Sequence, residues 1–133
     1  MEKKYELAIK ARNNAYAPYS NFLVGACLVL KNGEFITGSN VENASYGLCN
    51  CAERSALFSA YSAGFRKDDI VELIVCTNTI VPSSPCGACR QVISELMNPD
   101  AKVTMINPNL TNTWTVTIKE LLPWSFSGAN LNE

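Results

Sequence analysis

Cys51-Ala52-Glu53 and Pro85-Cys86-Gly87-Ala88-Cys89 hold the residues of this chain best suited to chemistry. Three thiolates can grip a soft divalent ion, and a carboxylate two positions past the first can work beside the ion without binding it. Structural zinc takes four protein ligands, whereas catalytic zinc takes three and leaves its fourth position to water or substrate. Three cysteines with one spare acid match the open form. A carboxylate placed in this way can take a proton from metal-bound water and return it to a ring nitrogen or a leaving amine.

Each residue has a plainer reading. Cys86 and Cys89, two residues apart, would on their own serve equally as a redox or structural pair. The upstream Cys51-Ala52-Glu53 tips the balance toward a metal, because a third thiolate completes an open site. Glu53 alone would be an ordinary solvated acid in a first helical turn. Cys49 competes with Cys51 as the third ligand; Cys51 is preferred because it adjoins the expected helix start and sets the offset to Glu53. Cys27 and Cys76 fall within apolar runs, where cysteine behaves as a small buried hydrophobe. Three thiolates on a divalent ion carry a net negative charge, which raises the pKa of bound water unless a cation offsets it. Arg54, next to the acid, is the nearest candidate for that role, with a solvent-exposed arginine as its alternative.

Composition narrows the chemistry further. The 133 residues include six cysteines and no histidine. Without histidine, Ser-His and Cys-His hydrolases are excluded, and proton transfer near neutral pH falls to a carboxylate, a thiol, a lysine or metal-bound water. With 11 basic against 12 acidic residues, the chain lacks the electropositive stripe that tracks a phosphate backbone, so no nucleic-acid partner is expected. Residues 1–5 do not open an apolar leader, and no run is long enough to span a bilayer. Reduced cysteines and a cytoplasmic location are therefore expected, with no membrane partner. Length predicts one domain over residues 1–133, and the low charged fraction of 17% hints at buried interfaces.

These residues need elements to position them. Helical spacing predicts an amphipathic helix over 2–14, ended before Pro18. An apolar run over 23–30, then Asn32-Gly33, then residues 34–38 predict a β-hairpin. A polar loop follows, and residues 51–63 read as a helix stopped by Gly64. Residues 70–76 form an apolar strand. Pro82 to Pro85 breaks the chain before Cys86, and helical spacing resumes over 91–97. Two late strands over 102–106 and 114–118 and a short helical turn over 119–122 complete the pattern. Strands alternating with helices predict an α/β fold, its sheet mixed because the opening hairpin is antiparallel. Both metal-bearing segments stand where a helix begins, and free backbone N–H groups there favour thiolate over thiol.

A wider set of segments carries a family likeness: Ala15-Tyr16-Ala17-Pro18-Tyr19-Ser20-Asn21-Phe22 through Ala26, Gly38 to Gly47, Cys51-Ala52-Glu53-Arg54, and Ser84-Pro85-Cys86-Gly87-Ala88-Cys89-Arg90-Gln91. Zinc nucleobase deaminases share the two metal motifs. The combination, from Tyr5 to Pro123, closely resembles the small homotetrameric cytidine deaminases of pyrimidine salvage. The resemblance implies a three-layer α/β/α fold with a mixed five-stranded sheet, Zn2+ on Cys51, Cys86 and Cys89, and Glu53 as proton shuttle. Asn40 and Glu42, flanking Val41, resemble the pair that hydrogen-bonds a ribose hydroxyl, and the resemblance implies that Val41 and Ala52 are further substrate-contacting positions. Phe22 resembles the aromatic packed against the pyrimidine, although an isolated phenylalanine would otherwise be read as core. The region of Tyr46, and Phe126 near the C-terminus, correspond to positions that complete a neighbouring subunit's site.

The function so implied is hydrolytic deamination of cytidine and 2′-deoxycytidine, with zinc-activated hydroxide attacking C4 and ammonia released. One rival is a deaminase of another cytosine compound, such as blasticidin S or a base within nucleic acid. Another is a non-enzymatic zinc-stabilised binding module, in which Cys49 closes a four-thiolate site.

Overall fold

The computed structural model describes residues 1–131. Its framework is one five-stranded sheet in the order β2-β1-β3-β4-β5, formed by β1 (Val24–Leu30), β2 (Phe35–Ser39), β3 (Ile70–Thr77), β4 (Lys102–Ile106) and β5 (Thr113–Thr117). Only β3 and β4 run parallel; the other neighbours are antiparallel, so the sheet is mixed as expected. The Asn32-Gly33 pair does make the first turn, with Gly33 at a φ of 91° that a side chain would resist.

Alternation along the strands divides the core in two. Ala26, Leu28 and Leu30 of β1 face one side with Leu73, Val75 and Val103, where they meet α2 (Ala52–Ser62), α3 (Gly87–Leu96) and the short α4 (Ile118–Leu121). Cys27, Ile74, Cys76 and Ile106 face the other side and pack on Ala8 of α1 (Lys3–Asn13). One helix below and three above give the α/β/α layering. Helix α2 seats very closely on the hairpin: a Cβ on Gly38 would fall 2.5 Å from the Ala56 nitrogen and 2.6 Å from the Ala52 oxygen. That contact fixes the height of the helix start that carries Cys51 and Glu53.

The expected elements are all present, most within a residue or two of their predicted ends. Helix α3 is the exception, beginning at Gly87 and not at residue 91. Its first turn is built from small residues around the metal motif, which carry no apolar periodicity. The polar loop between β2 and α2 is also more ordered than its composition suggests. Val41 exchanges two backbone hydrogen bonds with Asn50, and residues 46–48 form a 3-10 turn.

Candidate active site

Cys51 and Cys86 are the N-cap residues of α2 and α3, and Cys89 lies in the first turn of α3. The two helices start side by side above the end of β3, so the three Sγ atoms converge within 4.8 Å of one another. A tetrahedral ion with bonds of about 2.3 Å can bridge such a span. The donors fit zinc by their chemistry too, being three soft thiolates on helix starts whose backbone N–H groups stabilise negative charge. Cys49 does not join them: its Sγ accepts from Asn43 N at 3.3 Å and faces the Asn43 carbonyl. Of the two cysteines that compete in the sequence, Cys51 is the one grouped with Cys86 and Cys89.

The electrostatics favour ionised sulfur at one position first. A hydrogen bond from Cys89 is the largest influence holding the Cys51 thiol down to about 5, with Arg54 assisting. Arg54 donates from its Nη2 to Cys51 Sγ at 3.1 Å, the contact expected of a charge-compensating residue. The Cys89 thiol is pushed up by its hydrogen bond to Cys51 and by burial.

Glu53, in the first turn of α2, is 4% exposed. Burial is the main cause that raises its carboxyl above the ordinary range, reinforced by the negative charge on Cys51. Among the described residues it makes no ion pair. A carboxyl held in this way exchanges a proton more readily near neutral pH than a solvated one.

A cavity of about 290 Å³ opens over the thiolates. Its floor is Val24, Val75 and Thr77, with Val24 and Thr77 paired across β1 and β3. Phe22, Asn40, Glu42, Cys51, Ala52, Glu53, Cys86 and Cys89 all line it, so eight of the site residues expected from sequence meet in one place. Val41 does not: its backbone is spent on the Asn50 bridge and its side chain is half exposed. Tyr46, 75% exposed, lies in an adjoining outer hollow with Tyr19, Ser20, Glu42 and Cys49. Phe126, 57% exposed, is tethered through its carbonyl, which accepts from Gln91 Nε2 at 3.0 Å. Within one chain neither ring reaches the main cavity.

Sequence reasoning passed over Asn50, Thr77, Ser83 and Ser84, which also line the cavity. Ser83 and Ser84 stand immediately before the metal motif, a position that could have flagged them. Thr77 was hidden as the last residue of an apolar strand.

Convergent thiolates at paired helix starts, beside a buried acid and above a mixed α/β sheet, form a candidate metal-dependent active site. A family model described as "Cytidine and deoxycytidylate deaminase zinc-binding region" matches residues 1–105. A cytidine deaminase of Halalkalibacterium halodurans is 52% identical over 126 residues, covering 95% of this chain and 93% of that protein. One of Sporosarcina psychrophila is 43% identical over 132 residues, covering 99% and 95%. The crystal structure of cytidine deaminase from Burkholderia pseudomallei superposes with a TM-score of 0.89 at 49% identity, covering 95% of this chain and all of that one. The chain belongs to the cytidine and deoxycytidylate deaminase family, and it is an enzyme of the hydrolase class.

Proposed function

We propose that the protein hydrolyses cytidine and 2′-deoxycytidine to uridine and 2′-deoxyuridine with release of ammonia, within a single deaminase domain over residues 1–133. The observation that carries this reading is the buried Glu53 beside three convergent thiolates in a cavity also lined by Asn40 and Glu42. The family name spans nucleosides and nucleotides, and charge favours the nucleoside. Two carboxylates, Glu42 and Glu53, line the cavity, and none of the described residues lining it is lysine or arginine. A phosphate brought there would meet like charge without a cation to offset it.

Cys51, Cys86 and Cys89 would hold Zn2+, which supplies the Lewis acidity that makes water a nucleophile near neutral pH. Arg54 offsets the charge of the thiolates through Cys51. Glu53 takes the proton that water gives up on attacking C4, delivers it to ring N3, and then passes a proton to the departing amine. Water supplies the oxygen of the product and the atoms of ammonia that the substrate lacks, so the reaction balances without a further reactant. Phe22, partly exposed at the rim, offers a face to the pyrimidine, and Asn40 and Glu42 offer polar groups to the sugar.

A homotetramer with shared sites belongs to the same proposal. Tyr46, Leu48, Trp124 and Phe126 leave large apolar surfaces uncovered on one chain. A neighbouring copy would cover them and bring rings such as Tyr46 and Phe126 toward a cavity they do not reach in their own chain. Pyrimidine salvage in the cytoplasm is the physiological setting of this reading. It is compatible with the absence, among the described residues, of a helix long and apolar enough to cross a membrane.

The test is turnover of cytidine, deoxycytidine, deoxycytidylate, cytosine and a cytosine-containing oligonucleotide by zinc-loaded protein, with light scattering for subunit number. Nucleosides should be consumed at least about a hundredfold more efficiently than the nucleotide or the oligomer. Preference for either of the latter would overturn the nucleoside assignment. The closed zinc-module alternative has the geometry of Cys49 against it.

A further inference from the structure

The loop that carries Phe22 is not free to place its ring by itself. Tyr16 bridges to the segment after β2, accepting from Glu42 N at 2.8 Å and donating to the Asn40 carbonyl at 2.9 Å. Asn40 then grips the loop by its side chain, donating to Phe22 O at 2.8 Å and accepting from Val24 N at 2.8 Å. Glu42 grips it a second time: Oε1 accepts from Tyr19 N at 3.0 Å and Ser20 N at 3.1 Å, and Oε2 accepts from the Ser20 hydroxyl in a close contact. The same Ser20 Oγ accepts from Phe22 N at 3.0 Å. Between them lies Asn21, held at a φ of 59°, whose left-handed backbone lets the turn fold back on itself.

Two consequences follow from the bonding. Phe22 is held at both its backbone groups, its N–H by Ser20 and its carbonyl by Asn40. Glu42, moreover, has one oxygen occupied by two backbone donors and the other by a hydroxyl. Ser20 and Glu42 both line the outer hollow, and the Ser20 hydroxyl has the same chemistry as a sugar hydroxyl. A sugar hydroxyl that approaches Glu42 Oε2 meets the Ser20 hydroxyl there, and the Phe22 N–H donates to that same Ser20 Oγ.

We propose that Ser20 is a positioning residue whose hydroxyl couples the sugar-reading carboxylate of Glu42 to the base-facing ring of Phe22. Sugar capture and base stacking are then set by one hydrogen-bonded turn, and a nucleoside engages both or neither. The proposal rests on the nucleoside deaminase reading above. It adds a residue, Ser20, that touches neither the metal cluster nor the reacting ring.

The test uses the zinc-loaded enzyme with cytidine, and uridine as a non-reacting probe. Ser20→Ala should raise KM for cytidine and the Kd for uridine about tenfold, the loss expected for a hydrogen bond to a charged group. It should leave kcat within about threefold, because the group acts on binding and not on the chemical step. Ser20→Thr, which keeps the hydroxyl on an exposed loop, should restore both constants. Combined with Glu42→Gln, the effects on kcat/KM should fall short of multiplying, since each substitution cuts the same link. A purely structural role would lower the melting temperature and leave KM unmoved. Should Ser20→Ala fail to fold, Ser20→Cys, similar in size and a weak donor, should give the same rise in KM. KM within twofold of wild type in Ser20→Ala or Ser20→Cys overturns the relay, as does failure of Ser20→Thr to restore KM or strict multiplicativity with Glu42→Gln. Wild-type enzyme that leaves cytidine untouched overturns the deaminase reading itself; wild-type turnover indifferent to Ser20 overturns the relay alone.

Discussion

The two faces of the sheet contain the same kinds of residue and put them to opposite uses. Beneath α1 lie a buried glutamate, Glu72, and two buried cysteines, Cys27 and Cys76. Above, at the starts of α2 and α3, lie Glu53 with Cys51, Cys86 and Cys89. Glu72 accepts from Lys4 Nζ at 2.8 Å and from Thr104 Oγ1 at 2.5 Å, and Thr104 is bonded onward to Thr115. Its charge is answered inside the fold. Burial pushes the Cys27 thiol up to about 12 and the Cys76 thiol up to about 11, so both stay protonated and inert. On the upper face, the hydrogen bond with Cys89, assisted by Arg54, lowers Cys51, and burial raises Glu53. Residue type alone does not make a site; the lower face answers its own charge and keeps its thiols buried, whereas the upper face groups its thiols and acid around a cavity.

This contrast can be broken or sharpened by substitution. Cys89→Ser, nearly isosteric, should lose most bound zinc and reduce turnover by at least about a thousandfold, read by metal analysis and a cytidine absorbance assay. Arg54→Ala should keep the fold but weaken zinc affinity by about 10- to 100-fold in chelator competition, the usual cost of losing a partner behind a ligand. The lower face should respond differently. Lys4→Met leaves Glu72 without its cation and should cost about 2 kcal/mol in urea unfolding, between the values for exposed and buried pairs. Its kcat/KM should change less than about twofold. The Lys4 ammonium is raised above 10.5 chiefly by its hydrogen bond to Glu72, so the pair contributes fully below that pH. The deficit of Lys4→Met relative to wild type should therefore be constant near neutrality and shrink as pH climbs past the folded-state value. Smallest of all, Cys27→Ala should cost about 1 kcal/mol of stability and leave zinc content unchanged.

The upper site was largely legible because its motifs are local. Cys51-Ala52-Glu53 and Pro85-Cys86-Gly87-Ala88-Cys89 each sit on one helix start, and spacing within a motif survives any packing. Apolar runs disclosed the strands for the same reason, since burial on the sheet demands them. What spacing did not disclose is long-range. Cys51 is preferred over Cys49 in the sequence only for its helix start and its offset to Glu53; that the Asn43 backbone engages Cys49 is visible only in the fold. The start of α3 was missed because Gly87 and Ala88 turn around the motif without an apolar stripe. The contact of Ser20 with Glu42 joins positions 22 residues apart through a left-handed turn, and no periodicity marks it. Tyr46 and Phe126 illustrate the remaining gap: the family likeness marks them, and a single chain leaves both outside the cavity.

The central claim is that Glu53 works on protons and the three cysteines work on the metal. Zinc stoichiometry and cytidine turnover, measured together on wild type and Glu53→Gln, test it most directly. One zinc per chain in both proteins, with kcat of the variant lower by about a thousandfold or more, is the expected result. Near-normal turnover by a zinc-replete Glu53→Gln protein would contradict it.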